Sequence, residues 1–136
     1  MLEKIVLWAT AVIFLGYGLV CFFDPLIPAG YSGLILSNAD SRIETAAMYG
    51  GFQAGFGAFC LVAALRPEYA RAGLLLIICM VGGLAITRGI SFFLTNGTVT
   101  SYTYGALGFE SFTAVLAAIA FFKPKPISEP IKPIGG

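Results

Sequence analysis

The stretch AGLLLIICMVGGLAITRGISFFL, residues 72–94, decides the fold, because it is a long apolar run that contains one charged side chain, Arg88. A helix of roughly 20 apolar residues spans the hydrocarbon core of a bilayer, which is about 30 Å thick. Similar apolar runs cover residues 5–23, 45–65 and 101–122, and the third helix can start as early as residue 67. The sequence therefore predicts an all-α fold, a bundle of four transmembrane helices.

The overall composition agrees with a membrane location. Of the 136 residues, 58% are hydrophobic and only 11% are charged, and the mean hydropathy is +0.89. An ordinary soluble domain carries about twice that share of charge. The four runs leave no room for a second core, so we expect one domain, residues 1–123, surrounded by the lipid bilayer. The cations form no basic face, which argues against nucleic-acid binding.

The positions of the cations predict the orientation in the membrane. An even number of helices places both chain ends on one side, and most cations flank the helix ends of that side: Lys4, Arg66, Arg71, Lys123, Lys125 and Lys132. The opposite loops carry only Arg42. The excess of positive charge in cytoplasmic segments predicts cytoplasmic N and C termini. Residues 124–136 have a proline every two to four positions and predict an extended cytoplasmic tail.

The connection between the first two helices contains several local signals. Pro25 is expected to end the first helix just before it. Residues 26–36 are apolar but too short to cross the membrane, so we expect them at the interface or dipping back between helices. Ser41 and Glu44 have the spacing of a capping box, which predicts that a helix begins there.

Glycines line the second apolar run. Gly51 and Gly55 form a small-xxx-small pair, a pattern that lets helix backbones approach closely in membranes. We therefore predict that the second helix is central to the bundle. Arg66 and Pro67 then predict a tight turn, with Pro67 as the first residue of the third helix and a close hairpin between helices two and three.

Two charges inside apolar runs are the best functional clue. Arg88 and Glu110 lie on the same side of the membrane at similar depth, and a charge in mid-bilayer is costly unless it has a partner or a water-lined cavity. Gln53, Tyr49 and Tyr17 fall at or near the same depth on the first two helices. We predict that these five residues form one polar layer with a pocket that opens outward.

The sequence leaves three interpretations of this layer open. Arg88 and Glu110 can form an ion pair, supported by Gln53 and tyrosine hydroxyls, whose role is to select which helices pack together. Alternatively, the layer binds something small, because an arginine fork suits a carboxylate or phosphate head group. In the third interpretation Glu110 carries a proton. Burial favours the protonated form of its carboxyl group, whereas a neighbouring arginine favours the ionised form.

The chain lacks the usual catalytic and metal-binding residues. It has no histidine, and its three cysteines, Cys21, Cys60 and Cys79, form no C-x-x-C motif. No serine nucleophile with a base and no phosphate-binding glycine loop is recognisable. We therefore expect no enzymatic activity, no metal and no cofactor.

Several segments carry a family resemblance. Residues 47–57, 64–69, 73–76 and 102–110, together with Arg88, resemble a bacterial domain-of-unknown-function family of small four-helix membrane proteins. The matching positions are Tyr49, Gly50, Gly51, Gln53, Arg66, Pro67, Arg88 and Glu110. The resemblance implies the fold, a location in the bacterial cytoplasmic (inner) membrane, and a polar layer shared by the family. It implies no activity.

Two functions from different classes follow as hypotheses. The first is a non-enzymatic module, either an accessory subunit of a larger membrane complex or a small amphiphile-binding or lipid-binding protein. The alternative is a proton-coupled transporter of small molecules that acts as a dimer, because four helices alone rarely enclose a path. Partners are accordingly expected to be the bilayer, a larger membrane complex or a second copy of the chain.

Overall fold

The computed structural model describes residues 1–124, and this part of the chain is all-helical. Four helices in it are long and apolar enough to cross a membrane. We number the helices α1 (Leu2–Phe23), α2 (Leu26–Ser32), α3 (Ala39–Leu65), α4 (Ala70–Leu94) and α5 (Ser101–Phe122). The fold class is thus confirmed. The predicted proline-rich tail lies outside the described residues, apart from its first residue.

Most helix ends fall where the sequence predicts them. Helix α1 ends at Phe23, and the Asp24 side chain accepts a hydrogen bond from the Leu26 N–H at 3.0 Å as the chain turns into α2. Pro67 opens a 3₁₀ turn, Pro67–Tyr69, that leads directly into α4. A proline fits there because the first turn of a helix does not use its backbone N–H groups.

The start of α3 differs from the prediction. The predicted apolar run starts at residue 45 and the predicted cap is Ser41, but the helix begins at Ala39 and its N-cap is Asn38. The Asn38 side chain accepts a hydrogen bond from the Ser41 N–H at 2.8 Å, and the Ser41 hydroxyl accepts one from the Asn38 N–H at 3.2 Å. The predicted capping box of Ser41 with Glu44 is therefore wrong by one turn. An asparagine side chain caps a helix as well as serine does.

The middle of α3 is π-helical. The segment Ala46–Phe52 lies between two α-helical parts, Ala39–Thr45 and Gln53–Leu65. A π-helix has wider turns than an α-helix, so it rotates the side chains that follow relative to those before it. Such segments occur frequently at functional sites.

Helices α1 and α4 each contact the three other long helices, whereas α3, predicted to be central, makes at most a marginal contact with α5. Helix α3 packs mainly along α1, and α4 packs mainly along α5, so the bundle consists of two helix pairs. Helices α3 and α4 are joined by the tight turn but share a much smaller interface than a close hairpin would have. The pairing of α1 with α3 is explained by glycines at which the two helix backbones approach each other closely.

Between α1 and α3 those glycines are Gly18 on α1 and Gly50 and Gly57 on α3, and Gly73 on α4 is packed closely against Ala63 and Leu7. A Cβ atom at Gly57 would overlap the backbone of Leu15, and one at Gly50 would overlap the backbone of Phe22. The predicted pair, Gly51 and Gly55, has no neighbouring heavy atom within 4 Å of an added Cβ and lies on the outside of the bundle. The principle of close packing through small residues holds, but the sequence indicated the wrong face of the helix.

The packed core occupies only the half of the bundle that contains the N-terminus. We call this the closed half; its core consists of buried residues in the ranges 6–14, 56–64, 70–81 and 117–120. Leu7, Leu74 and Ile77 in it are fully buried. On its surface, the Arg71 guanidinium lies 4.5 Å from the ring centroid of Phe121, which ties α4 to the end of α5. The other half, which we call the cavity half, is not filled by side chains.

Candidate functional site

Arg88 and Glu110 meet directly in the cavity half. The Arg88 Nε donates to one carboxylate oxygen of Glu110 at 2.9 Å, and Nη2 donates to the other at 2.8 Å. The Glu110 side chain is 7% exposed and that of Arg88 is 26% exposed. This is the bidentate geometry in which a guanidinium and a carboxylate interact most strongly. It links α4 to α5 and is the only ion pair inside the bundle among residues 1–124.

The antiparallel pairing of α4 and α5 brings these two residues together. The two helices are joined by a short loop at residues 95–100, so positions near the end of α4 face positions near the start of α5. The expectation that both charges lie at one level inside the protein agrees with this geometry. The carboxylate is the more deeply buried partner, and the guanidinium reaches toward the cavity.

A cavity of about 700 Å³ lies beside the ion pair. Arg88, Glu110, Gln53, Tyr49 and Tyr17 all line it. The five residues that the sequence assigned to one polar layer are therefore brought together. Each of the four long helices contributes at least one of them, as the comparison of their depths in the membrane predicted. Whether this layer binds a ligand stays a prediction.

Aromatic side chains form the floor and much of the wall of the cavity. Phe14 and Phe56 pack edge to face with ring centroids 4.8 Å apart, and both are buried. Phe109 lies 6.3 Å from Phe14 by the same measure. These rings separate the cavity from the closed half below it. Eight of the seventeen lining residues are aromatic, so most of the cavity surface is apolar.

Two tyrosines at the cavity were missed by the sequence reasoning. The Tyr102 ring lies 5.8 Å from the guanidinium carbon of Arg88, and Tyr31 on the short helix α2 stacks on Tyr102 at 6.3 Å with an angle of 12° between the rings. The sequence analysis does not assign Tyr102 to the polar layer. A signal did exist, because Tyr102 and Ala106 lie eight and four residues before Glu110 and so follow one ridge of α5. Nothing in the sequence singled out Tyr31.

The cavity exists because the two helix pairs separate in this half. The π-helical segment of α3 packs along α1, but it has few or no contacts with α4 and α5. Met48 and Phe52 on α3 and Leu84 on α4 line the cavity and are about half exposed. In a membrane these exposed side chains face acyl chains. The cavity therefore has a side toward the bilayer that protein does not cover, and α3 and α4 are among the helices that border it.

A second, shallower pocket of about 340 Å³ also lies next to Arg88. Its lining includes Thr87, Ser91 and Thr103, and it is more polar than the large cavity. Arg88 and Leu84 contribute to both spaces. Arg88 therefore borders an aromatic cavity and also a hydroxyl-lined pocket at the loop end of α4 and α5.

The described residues offer no metal centre. No group of three or more His, Cys, Asp or Glu side chains comes together within residues 1–124. The three cysteines are free thiols, two of them buried. What the site offers chemically is hydrogen bonding from Arg88, Gln53 and tyrosine hydroxyls beside an apolar space.

Fold and site together define a small integral membrane protein, a four-helix bundle with a polar pair beside an aromatic cavity. The model of the family DUF4345, a domain of unknown function, matches residues 2–121, and the chain belongs to this family. The resemblance to a family of unknown function is thereby confirmed. Comparisons with curated proteins and with solved structures give no match.

Proposed function

We propose that this protein binds a small amphiphilic molecule, such as a lipid or a lipid-like metabolite, in the aromatic cavity, and that it is not an enzyme. The observation that carries the proposal is that the Arg88–Glu110 pair borders a cavity of about 700 Å³ instead of being packed over. Ligand sites typically have volumes of roughly 300–1,000 Å³ and combine an apolar lining with a few polar groups. The opening toward the bilayer would give such a ligand access from the membrane.

The direct contact of the two charges also supports the simpler interpretation, in which the pair only joins α4 to α5. That interpretation explains why the charges are present. It does not explain why the half of the bundle around them lacks a packed core. Buried ion pairs add little stability compared with apolar packing, so a bundle selected for stability alone would fill this space.

The proposal is tested by filling the cavity. Ala106 lines the cavity on α5, and Ala106→Trp would occupy part of it; Val115→Trp on the same helix is the control, because Val115 is 56% exposed toward lipid. Each protein is purified in mild detergent and its extract analysed by mass spectrometry. We expect one molecule to accompany the wild type and Val115→Trp but not Ala106→Trp. An identical extract from all three would contradict the proposal.

We also propose that the protein serves as an accessory subunit. In this role a larger membrane complex, or a second copy of the chain, contacts the bound ligand or the exposed residues around the cavity. Chemical cross-linking in native membranes tests this part. A band above the monomer that Ala106→Trp removes and Val115→Trp keeps would support a partner seated at the cavity. A monomer in every case would contradict it.

Proton-coupled transport is the second candidate, supported by the buried carboxylate of Glu110 beside a cavity. Against it stands the bidentate contact with Arg88, because a carboxylate that carries protons must leave its cation in each cycle. Breaking a buried pair is costly. Proton flux in proteoliposomes that Glu110→Gln abolishes would favour transport over simple binding.

For the location we propose the bacterial cytoplasmic membrane with both termini in the cytoplasm. The proposal is supported by the cations Lys4, Arg66, Arg71 and Lys123, which flank the chain ends and the α3–α4 turn. Fusions at the C-terminus test it. A green fluorescent protein should be fluorescent there and an alkaline phosphatase inactive, and the reverse result would invert the orientation.

A further inference from the structure

Building on the proposed function, we infer that the ligand is an uncharged amphiphile whose head group accepts hydrogen bonds, such as a ketone, an ester or an amide. Among the interpretations of the sequence, the one in which the layer binds a ligand predicts a carboxylate or a phosphate, because an arginine fork suits such head groups. In the structure the arginine is not unpaired. Three features of the cavity determine the different ligand class: its net charge, its free donors and its lining.

The net charge of the cavity is zero. Within the described part of the chain, Arg88 and Glu110 are the only charged residues that line it, and they neutralise each other at 2.8–2.9 Å. A carboxylate or phosphate would bring a second negative charge into an apolar space with no second cation. To bind Arg88 by its fork, such a ligand would have to displace Glu110 and leave that carboxylate buried without a partner, which is strongly unfavourable. A cationic head group would have to displace Arg88 from Glu110 and leave the guanidinium without a partner, which is likewise unfavourable.

Arg88 keeps hydrogen-bond donors that Glu110 does not use. A guanidinium has five N–H groups and no acceptor, and Glu110 uses one on Nε and one on Nη2. Both N–H groups of Nη1 are left unused by Glu110. The Gln53 carboxamide and the Tyr17 and Tyr49 hydroxyls line the same space and add further donors. A neutral carbonyl oxygen, with two lone pairs, complements this set without adding charge.

The rest of the cavity suits an apolar body. Its floor consists of the Phe14 and Phe56 rings, and its open side carries Met48 and Leu84. Methionine adapts its shape to irregular apolar ligands, and aromatic rings offer large flat contact surfaces. A molecule that enters from the bilayer would slide its apolar part between α3 and α4 and place its head at Arg88.

A set of probes with the same chain length tests the inference. Decan-2-one, decane, decanoate and decylammonium are added to the protein in phosphatidylcholine nanodiscs, and thermal unfolding is followed by circular dichroism. At about ten times its Kd, decan-2-one should raise Tm by roughly 5 °C. The other three probes should raise it by less than half as much. The Val115→Trp protein should respond as the wild type does.

A double variant, Arg88→Met with Glu110→Leu, tests whether the ion pair is what recognises the head group. Replacing both charges with apolar side chains of similar size usually preserves the fold. In this variant the advantage of decan-2-one over decane should fall to less than half of its wild-type value, because only Gln53 and the tyrosine hydroxyls remain as donors. An undiminished advantage of the ketone would overturn the assignment of its acceptor to Arg88.

The outcomes separate this inference from the proposed function. If decanoate or decylammonium stabilises the wild type most, the ligand is charged, and the inference fails while amphiphile binding stands. If decane stabilises as much as the ketone, the cavity is occupied but the head group is not recognised, with the same consequence. If no probe raises Tm and Ala106→Trp leaves the mass-spectrometric extract unchanged, the proposed function fails as well.

Discussion

The two halves of the bundle are built from the same four helices but are packed in opposite ways. In the closed half, Leu7, Leu74 and Ile77 are fully buried among alanines, and among the described residues no ion pair lies in its interior. In the cavity half, the helices carry larger and more polar side chains, yet the interior holds an open space of about 700 Å³. Small residues allow helices to meet, whereas rings and charges that need room keep them apart. This contrast indicates that the packed core of the closed half maintains the fold, whereas the cavity half leaves a space that a ligand could occupy.

The largest effect is expected from removing one member of the ion pair. In Glu110→Leu the Arg88 guanidinium keeps its charge but loses both hydrogen bonds, and breaking a buried pair costs about 3–5 kcal/mol. We expect about 3 kcal/mol, near the lower end, because Arg88 is partly exposed. The free energy of unfolding is measured by titration with sodium dodecyl sulfate. Arg88→Met in the same protein should restore most of the loss; a double variant as unstable as Glu110→Leu would contradict this account.

The next effect concerns the seam between α1 and α3. Gly57→Ala places a methyl group against the Leu15 backbone, which has no rotamer with which to move away. Overpacking of this kind costs typically about 1–3 kcal/mol, and we expect the upper half of that range. Gly55→Ala is the matched control, since nothing lies within 4 Å of its added Cβ. Equal unfolding free energies for the two variants would mean that α1 and α3 do not pack through Gly57.

A comparison of two leucines on α4 tests the two halves directly. Leu74 is 0% exposed in the closed half, and Leu84 is 45% exposed at the cavity. Leu74→Ala should cost about 2 kcal/mol, the low end for a buried leucine, because the alternative surroundings are lipid and not water. Leu84→Ala should cost well under about 1 kcal/mol, because few packing contacts are lost. The same titration measures both, and a larger loss for Leu84→Ala would reverse the assignment of the two halves.

The smallest effect is expected at the start of α3, which leads into the cavity half. Asn38→Ala removes the side-chain acceptor of the Ser41 N–H and should cost about 1 kcal/mol. Glu44→Ala should change stability by less than about 0.5 kcal/mol, because the capping box involves Ser41 and not Glu44. Circular dichroism during thermal unfolding compares the two. A larger effect of Glu44→Ala would favour the capping box predicted from the sequence.

Much of the candidate site could be predicted from one sequence, and the reason is geometric. The rise of an α-helix is constant, so the distance of Arg88, Glu110 and Gln53 from their helix ends gives their depth in the membrane. Depth is what placed Tyr17 and Tyr49 in the same layer. It does not give the direction in which a residue faces, and this is why Tyr31 and Tyr102 were not included in the predicted layer.

The sequence by itself determined the class of protein, the four membrane-spanning helices, most of their ends, and the level at which the polar residues lie. Hydrophobic length and proline positions are local properties, and a bilayer of fixed thickness converts them into topology. The tertiary structure alone decided that Gly18, Gly50 and Gly57 join α1 to α3, that Asn38 caps α3, and that a cavity remains beside Arg88. Those features depend on how each helix is rotated about its axis. Rotation is fixed by neighbouring helices, because in a membrane every face of a helix is apolar enough to meet lipid.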